Sequence, residues 1–130
     1  MAVNMPSSRA PCTVAVVDDD STSTVLLSRI LSRAGCTVIV YDSGEELLEQ
    51  LAAPRPDVIC LDLELPGIDG METLRRLQST EPDLPVILFS ASADAVRDEA
   101  LAAGAFACVD KTGGWNELSG VIDRALNRGN

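Results

Sequence analysis

The sequence predicts a doubly wound α/β fold, in which a five-stranded parallel sheet lies between two layers of helices. Two observations predict it. Five short apolar segments alternate strictly with five segments of helical apolar spacing along the 130 residues. The short segments are also almost continuously apolar, which is typical of strands covered on both faces. This alternation indicates parallel strands joined by helical crossovers, and the length suits one domain.

Each predicted strand is a short run rich in apolar and β-branched residues, bounded by turn residues. The five runs are residues 13–17, 37–41, 58–61, 85–89 and 106–109. Short connections and right-handed crossovers favour the flavodoxin-like strand order 2-1-3-4-5 and a three-layer α/β/α sandwich. We assign the domain to residues 11–130 and expect residues 1–10, which lack the apolar core of a signal peptide, to form a flexible leader.

Helical spacing and end signals predict the five helices. The first covers residues 21–34, and the second begins at a capping box formed by Ser43 and Glu46. The fourth is the alanine-rich segment 93–103. The apolar positions of the first, second, third and fifth helices are, in chain order, Val25, Leu26, Ile30 and Leu31, then Leu47, Leu48 and Leu51, then Met71, Leu74 and Leu77, and finally Leu118, Val121, Ile122, Ala125 and Leu126.

Composition and charge exclude several classes of function. The chain has no histidine, which excludes Ser-His-Asp and Cys-His catalysis and a role as a phosphohistidine carrier. A net charge of −10 argues against nucleic-acid binding by this chain alone. No apolar run approaches the roughly 20 residues that a membrane-spanning helix needs. We therefore expect a cytoplasmic domain that binds neither a membrane nor nucleic acid.

The four cysteines do not predict a metal site. Cys12, Cys36, Cys60 and Cys108 are spread along the chain without a CxxC pair, and no histidine could complete a zinc site. We expect all four to be small buried hydrophobic residues on strands, in a protein of a reducing compartment.

Polar residues occupy the positions at which four of the predicted strands end. They are Asp18 and Asp19 after the first strand, Asp62 after the third, Ser90 after the fourth and Lys111 after the fifth. In the predicted order these four strands are adjacent, and such sheets bind ligands at the carboxyl ends of their strands. We therefore expect all five side chains to line one crevice.

This set of side chains suits phosphoryl transfer. Three close carboxylates repel one another unless a cation joins them, and oxygen ligands without histidine or thiolate favour Mg²⁺. The ammonium of Lys111 and the hydroxyl of Ser90 can hold the oxygens of a phosphoryl group. A carboxylate can then act as the nucleophile and form an aspartyl phosphate, and Asp62 is that residue by position.

At these positions the chain resembles the response-regulator receiver domain, the phospho-acceptor of two-component signalling. The resemblance extends from about residue 12 to residue 127. The motifs that carry it are Val17-Asp18-Asp19, Leu61-Asp62, Leu65-Pro66-Gly67-Ile68-Asp69-Gly70, Leu88-Phe89-Ser90-Ala91 and Val109-Asp110-Lys111. It implies a signalling switch that promotes its own phosphorylation and dephosphorylation, not a turnover enzyme.

The resemblance implies a role for each site residue. Asp62 would be phosphorylated in a reaction that needs Mg²⁺ as cofactor, and Lys111 would contact the phosphoryl oxygens. The implied metal ligands are Asp19, Asp62 and the backbone carbonyl of Glu64, with Asp18 acting through water. Ser90 would swing towards the phosphoryl group and reshape the output face, which consists of the fourth helix, the fifth strand and the fifth helix.

The resemblance also implies the partners. A sensor histidine kinase, a phosphotransfer protein or a small phosphodonor would supply the phosphoryl group. The output face would then bind a downstream protein or an output domain outside this chain. A homodimer through the same face is compatible with the sequence, which does not decide it.

Three residues need separate comment. Cys108 stands where many receivers carry an aromatic residue that moves with the serine or threonine, so an aromatic switch at that position is excluded. The side chain of Glu64 would overlook the phosphoryl group and influence how long the phosphorylated form lasts. Trp115 would either pack over the start of the last helix or anchor a partner.

Two other functions fit part of the pattern. A Mg²⁺-dependent phosphohydrolase of the haloacid-dehalogenase type also uses an aspartyl nucleophile on a doubly wound sheet, and Asp62-Leu63-Glu64 faintly resembles its Asp-x-Asp motif. In such enzymes the motif lies on the first strand, whereas Asp62 follows the third. The other alternative is a receiver-like scaffold that is never phosphorylated.

Overall fold

The computed structural model describes residues 12–52, 55–111 and 115–127. Strands and helices alternate there as predicted, and their observed ends differ from the predicted ones by a residue in several places. In chain order the elements are β1 (Cys12–Val17), α1 (Ser21–Arg33), β2 (Cys36–Tyr41), α2 (Gly44–Gln50), β3 (Val58–Asp62), α3 (Gly70–Thr80), β4 (Val86–Ser90), α4 (Ala93–Ala102), β5 (Ala107–Asp110) and α5 (Trp115–Asn127). The predicted leader and the side chain of Trp115 lie outside the described part.

The strands form one parallel sheet in the order β2-β1-β3-β4-β5, which confirms the predicted flavodoxin-like topology. Parallel strands need crossover connections, and the helices between successive strands provide them. β1 lies between β2 and β3, so the sheet winds first to one side of β1 and then to the other. Doubly wound sheets bind ligands at such a switch point, at the carboxyl ends of the strands.

Each face of the sheet has its own apolar core, because successive residues of a strand point to opposite faces. Val14 and Val16 of β1 belong to a core shared with α1 and α5. Ala15 and Val17 belong to the other core, which is shared with α2, α3 and α4. The predicted three-layer sandwich is therefore confirmed, and the first and last helices form one of its layers.

Of the apolar positions predicted for α1, only Leu31 is fully buried, so the buried face differs in part from the predicted one. Val25 and Leu26 are 52% and 44% exposed. The buried residues of this helix are Ser23, Thr24, Leu27 and Leu31. The apolar spacing is compatible with more than one helix phase, and the fit of Leu27 and Leu31 against the sheet selects this one. In α2, α3 and α5 the expected phase is confirmed, since Leu47, Leu74 and Leu118 are fully buried.

The cysteines lie on strands as predicted, with one difference in burial. Cys12, Cys60 and Cys108 are buried, but Cys36 is partly exposed because it begins β2, the edge strand of the sheet. Desolvation raises the pKa of the Cys60 thiol to about 12. No helix among the described residues is long and apolar enough to cross a membrane.

Candidate functional site

The carboxyl ends of four adjacent strands meet at one edge of the sheet. Asp18 and Asp19 follow β1, Asp62 and Ser90 are the last residues of β3 and β4, and Lys111 follows β5. The Lys111 N–H donates a hydrogen bond to the Ser90 carbonyl oxygen at 2.9 Å, so that the ends of β4 and β5 stay in register. The structure brings the three acids and the lysine into direct proximity, and Ser90 lies on the neighbouring strand end.

The acid cluster consists of Asp18, Asp19 and Asp62, each of which offers a carboxylate oxygen within 4.8 Å of the others. Asp18 and Asp62 are buried, whereas Asp19 is exposed. Desolvation, followed by the charge of Asp18, raises the pKa of Asp62 to about 6. Oxygen donors crowded in this way suit a hard divalent cation such as Mg²⁺, which would relieve their repulsion.

Lys111 bridges the two buried acids. Its Nζ lies 2.8 Å from Asp18 Oδ2 and 3.4 Å from Asp62 Oδ2. Burial alone would lower the pKa of Lys111, but the hydrogen bond to Asp18 and the charges of both carboxylates outweigh it and raise the pKa. The ammonium also lies 5.8 Å from the centre of the Phe89 ring. The site therefore holds a permanent positive charge beside Asp62.

The Ser90 hydroxyl is engaged with its own loop. Its oxygen accepts a hydrogen bond from the Ser92 N–H at 2.9 Å, and the side chain is buried. Ser92 is the N-cap residue of α4, and no side-chain hydrogen bond caps that helix. The position of the Ser90 oxygen is thus tied directly to the start of α4.

The loop after β3 is held by hydrogen bonds from two directions. The Glu64 N–H donates to Asp62 Oδ1 at 3.4 Å, while the Glu64 side chain is exposed. The Ile68 N–H donates to Glu45 Oε2 of α2 at 3.0 Å, and this bond lowers the pKa of Glu45. The sequence analysis gave Glu45 no role at the site, because no local pattern relates it to a loop 23 residues later.

Two more residues near the site had no role in the sequence analysis. Gly70 begins α3 directly behind Asp62, and a Cβ there would overlap the Asp62 carbonyl oxygen. The Asp20 N–H donates to Asp18 Oδ1 at 2.9 Å, and the Asp20 side chain caps α1 by accepting from the Thr22 N–H. The N-cap role was readable from an aspartate just before a helical segment.

Fold and site together define a class of protein, namely a small doubly wound α/β domain with a buried acid cluster and a lysine at its topological switch point. The family model described as the response regulator receiver domain matches residues 14–123. The chain belongs to the response regulator receiver family, as its motifs predicted. Receiver domains are the signalling switches of two-component systems, so the predicted class of function is confirmed at this level.

Individual relatives agree with this assignment. The DNA-binding transcriptional regulator NtrC of Escherichia coli (strain K12) is 38% identical over 117 residues, which are 88% of this chain and 24% of NtrC. The chain thus spans about a quarter of that relative. A crystal structure of a putative response regulator from Chloroflexus aurantiacus has a TM-score of 0.84 at 31% identity and covers 90% of this chain and 98% of its own. The BeF3-activated N-terminal receiver domain of Klebsiella pneumoniae RstA has a TM-score of 0.82 at 28% identity, with 88% and 98% covered.

Proposed function

We propose that this receiver domain accepts a phosphoryl group on Asp62 in a Mg²⁺-dependent reaction and thereby changes the surface that it offers to a partner. The position of Asp62 is the observation that carries the proposal. Its carboxylate is buried at the end of β3, within the acid cluster and 3.4 Å from the Lys111 ammonium. Its other oxygen accepts the Glu64 N–H, so that the carboxylate has a defined orientation.

In the proposed reaction a carboxylate oxygen of Asp62 attacks the phosphorus of the phosphodonor. An O–P bond forms while the bond from phosphorus to the leaving group breaks. The residues that would hold Mg²⁺ are Asp19, Asp62 and the Glu64 backbone carbonyl, with Asp18 acting through water. The ion would supply positive charge to the phosphoryl oxygens. Lys111 would exchange part of its contact with Asp62 for a phosphoryl oxygen and neutralise a second charge.

Ser90 would carry the signal from the site to the output face. A hydroxyl that turned towards the phosphoryl group would release the Ser92 N–H at the start of α4. α4 is joined to β5, since Arg97 Nη2 donates to the Cys108 carbonyl oxygen at 3.0 Å. A shift of α4 would therefore reach β5 without an aromatic residue at Cys108. The RstA receiver, which is similar in structure to this chain, is described as BeF3-activated, and this supports the proposal that such a domain can be activated.

The proposed partners are of two kinds. A sensor histidine kinase or a phosphotransfer protein supplies the phosphoryl group, and a downstream protein or an output domain outside this chain responds to it. NtrC is a DNA-binding regulator, but the net charge of −10 makes nucleic-acid contacts by the present chain itself unfavourable. We propose a cytoplasmic location, in keeping with a kinase partner, and self-association through the output face as a further mode of response.

The direct test is intact mass spectrometry after incubation with Mg²⁺ and acetyl phosphate. We expect one added phosphoryl group in the wild-type chain, none in Asp62→Asn and none when the metal is chelated. Asp42→Asn is the matched control, because Asp42 is an exposed acid that follows β2 at the edge of the sheet. This variant should be phosphorylated like the wild type.

The same incubation, extended to ordinary phosphate esters and to beryllofluoride, separates the alternatives. Continuous turnover of ordinary phosphate esters, with no stable adduct, would favour the aspartyl phosphohydrolase. The absence of any adduct with acetyl phosphate, together with the absence of a beryllofluoride complex, would favour an inert receiver-like scaffold.

A further inference from the structure

Two thiols meet at the amino ends of β1 and β2, whereas the acid cluster lies at the carboxyl ends of the strands. Cys12 is the first residue of β1 and Cys36 is the first residue of β2, and the two are paired directly in the parallel register. Their Sγ atoms lie 2.7 Å apart, and neither cysteine forms a disulfide in this structure. No other part of the described structure pairs two cysteine side chains in this way.

The geometry of this pair is close to that of a disulfide. Direct partners on adjacent parallel strands have Cα atoms within the range of disulfide-bonded residues, and an S–S bond of about 2.05 Å requires the sulfur atoms to approach by only about 0.7 Å. The two side chains already point towards each other across the strand pair. The register of the two strands and the distance between the sulfur atoms are therefore both compatible with bond formation.

One of the two cysteines is also partly accessible from outside. Cys36 is partly exposed, whereas Cys12 is 7% exposed. Cys36 lines a cavity of about 250 Å³ between the end of α1 and α5, together with Leu31, Ser119 and Asp123. A molecule the size of a peroxide can enter a cavity of this volume. Cys36 is therefore the thiol that an oxidant meets first, and Cys12 lies behind it in contact.

We propose that Cys12 and Cys36 form a reversible disulfide when the protein meets a peroxide. The Cys36 thiol loses its proton, the thiolate attacks one peroxide oxygen and the O–O bond breaks, so that Cys36 becomes a sulfenic acid and the hydroxide that leaves takes up the proton as water. The Cys12 thiol then loses its proton, its thiolate attacks the Cys36 sulfur and the S–O bond breaks, and the hydroxide that leaves takes up this proton as a second water. The two sulfurs lose two electrons and the peroxide gains them. A dithiol reductant reverses the step.

The disulfide would fasten the edge strand. β2 pairs with β1 alone among the described strands, so its attachment to the sheet depends on this one ladder. The new bond would close a covalent loop that contains α1, since the two cysteines are 24 positions apart in the chain. Asp18 lies at the other end of β1, about 20 Å away along the strand. Oxidation should therefore stabilise the fold and leave the acid site intact.

The test begins with the reduced wild-type chain of 130 residues, treated with stoichiometric hydrogen peroxide. We expect the intact mass to fall by two hydrogen atoms and to return after dithiothreitol. A second portion of the oxidised chain is digested with trypsin without reductant. It should release two peptides joined by a disulfide, namely residues 10–29 with Cys12 and residues 34–75 with Cys36 and Cys60. We expect the melting temperature to rise by about 10 °C.

Two variants test whether the sulfur linked to Cys12 is that of Cys36 and not that of Cys60. Cys60→Ala should keep the linked peptides, because Cys60 is fully buried, and Cys36→Ala should abolish them. A stable sulfenic acid on Cys36, a covalent dimer or an unchanged mass in the wild type would each overturn the proposal. Phosphorylation of Asp62 is not involved, so these outcomes are independent of the proposed function.

Discussion

At the scale of single residues, the three acids of the site are not equivalent. Asp18 is buried and tied to the Lys111 ammonium and the Asp20 N–H. Asp19 is exposed, so its charge is largely stabilised by water. Asp62 is also buried, but its negative charge is compensated less than that of Asp18, since the Lys111 ammonium lies farther from it. Because two like charges are buried side by side, the metal-free site is electrostatically unfavourable, and this strain centres on Asp62.

Asp62→Asn should therefore stabilise the metal-free protein. The amide keeps the shape of the side chain and removes the buried carboxylate, whose pKa is raised to about 6. We expect the free energy of unfolding in EDTA at neutral pH to increase by roughly 1–3 kcal/mol, measured by urea denaturation. The exposed control Asp42→Asn should change it by less than about 0.5 kcal/mol. A loss of stability in Asp62→Asn would contradict this account of the site.

Glu64 should influence the lifetime of the phosphorylated form. Its N–H orients Asp62, while its exposed carboxylate can position a water at the open side of the site. We expect Glu64→Asn to slow dephosphorylation roughly fivefold, which corresponds to an interaction of about 1 kcal/mol at a solvated site. The measurement follows the decay of the phosphorylated chain after the phosphodonor is removed. Glu49→Gln, an exposed acid on α2, is the control, and equal rates for wild type and Glu64→Asn would disprove the role.

At the scale of elements, the loop between β3 and α3 is the part on which the site depends most. It leaves the sheet directly after Asp62 and is closed by the Gly70 N–H, which donates to the Leu63 carbonyl oxygen at 2.8 Å. Gly67 has a φ of 74°, and a side chain there would also overlap the Glu45 carboxylate. Asp69 is the N-cap residue that precedes α3, and its side chain accepts from the Glu72 N–H at 2.9 Å. The loop path is thus determined by contacts with α2 and by the start of α3.

Gly70→Ala should disturb this loop and, through it, the acid site. The new methyl group would meet the backbone of Asp62 and Leu63, which cannot move aside as a flexible side chain could. We expect a loss of about 1–3 kcal/mol in the free energy of unfolding together with weaker Mg²⁺ binding, measured by denaturation and by metal titration.

Gly120→Ala is the matched control for that substitution. Gly120 lies within α5, it is exposed, and a Cβ there meets only the Arg124 guanidinium at an ordinary contact distance of 3.8 Å. Alanine favours the helix over glycine by about 0.5–1 kcal/mol, so this variant should be more stable than the wild type and bind metal equally well. If both glycine variants behaved alike, steric overlap behind Asp62 would not be the cause.

At the scale of the whole molecule, metal binding and folding should be coupled. The three acids come from β1 and β3, which are about 45 residues apart in the chain, so the cluster exists only when the sheet is formed. A ligand that binds only the folded state adds about 2.7 kcal/mol of stability when its free concentration is about 100 times its Kd.

Mg²⁺ should therefore raise the melting temperature of the wild type, with saturation at a single site. Asp19→Asn should lose most of this shift while its melting temperature in EDTA stays close to that of the wild type, because Asp19 is exposed. Differential scanning calorimetry over a Mg²⁺ series measures both. An undiminished shift in Asp19→Asn would place the ion elsewhere.

Much of this architecture was predictable because it follows from local patterns. Continuous apolar runs and helical spacing are properties of short segments, and their alternation restricts the topology to a few parallel arrangements. Once the strand order is known, the side chains after β1, β3, β4 and β5 must share one edge. The convergence of Asp18, Asp62 and Lys111 followed from that geometry.

The remaining features depended on packing between segments that are distant in the chain. The phase of α1, with Leu26 exposed and Leu27 buried, was decided by the fit against the sheet, because the spacing alone allows both. The hydrogen bond from Ile68 to Glu45 and the pairing of Cys12 with Cys36 join residues more than 20 positions apart. Local residue patterns determine which segments become strands and helices, but such contacts exist only after those segments have packed.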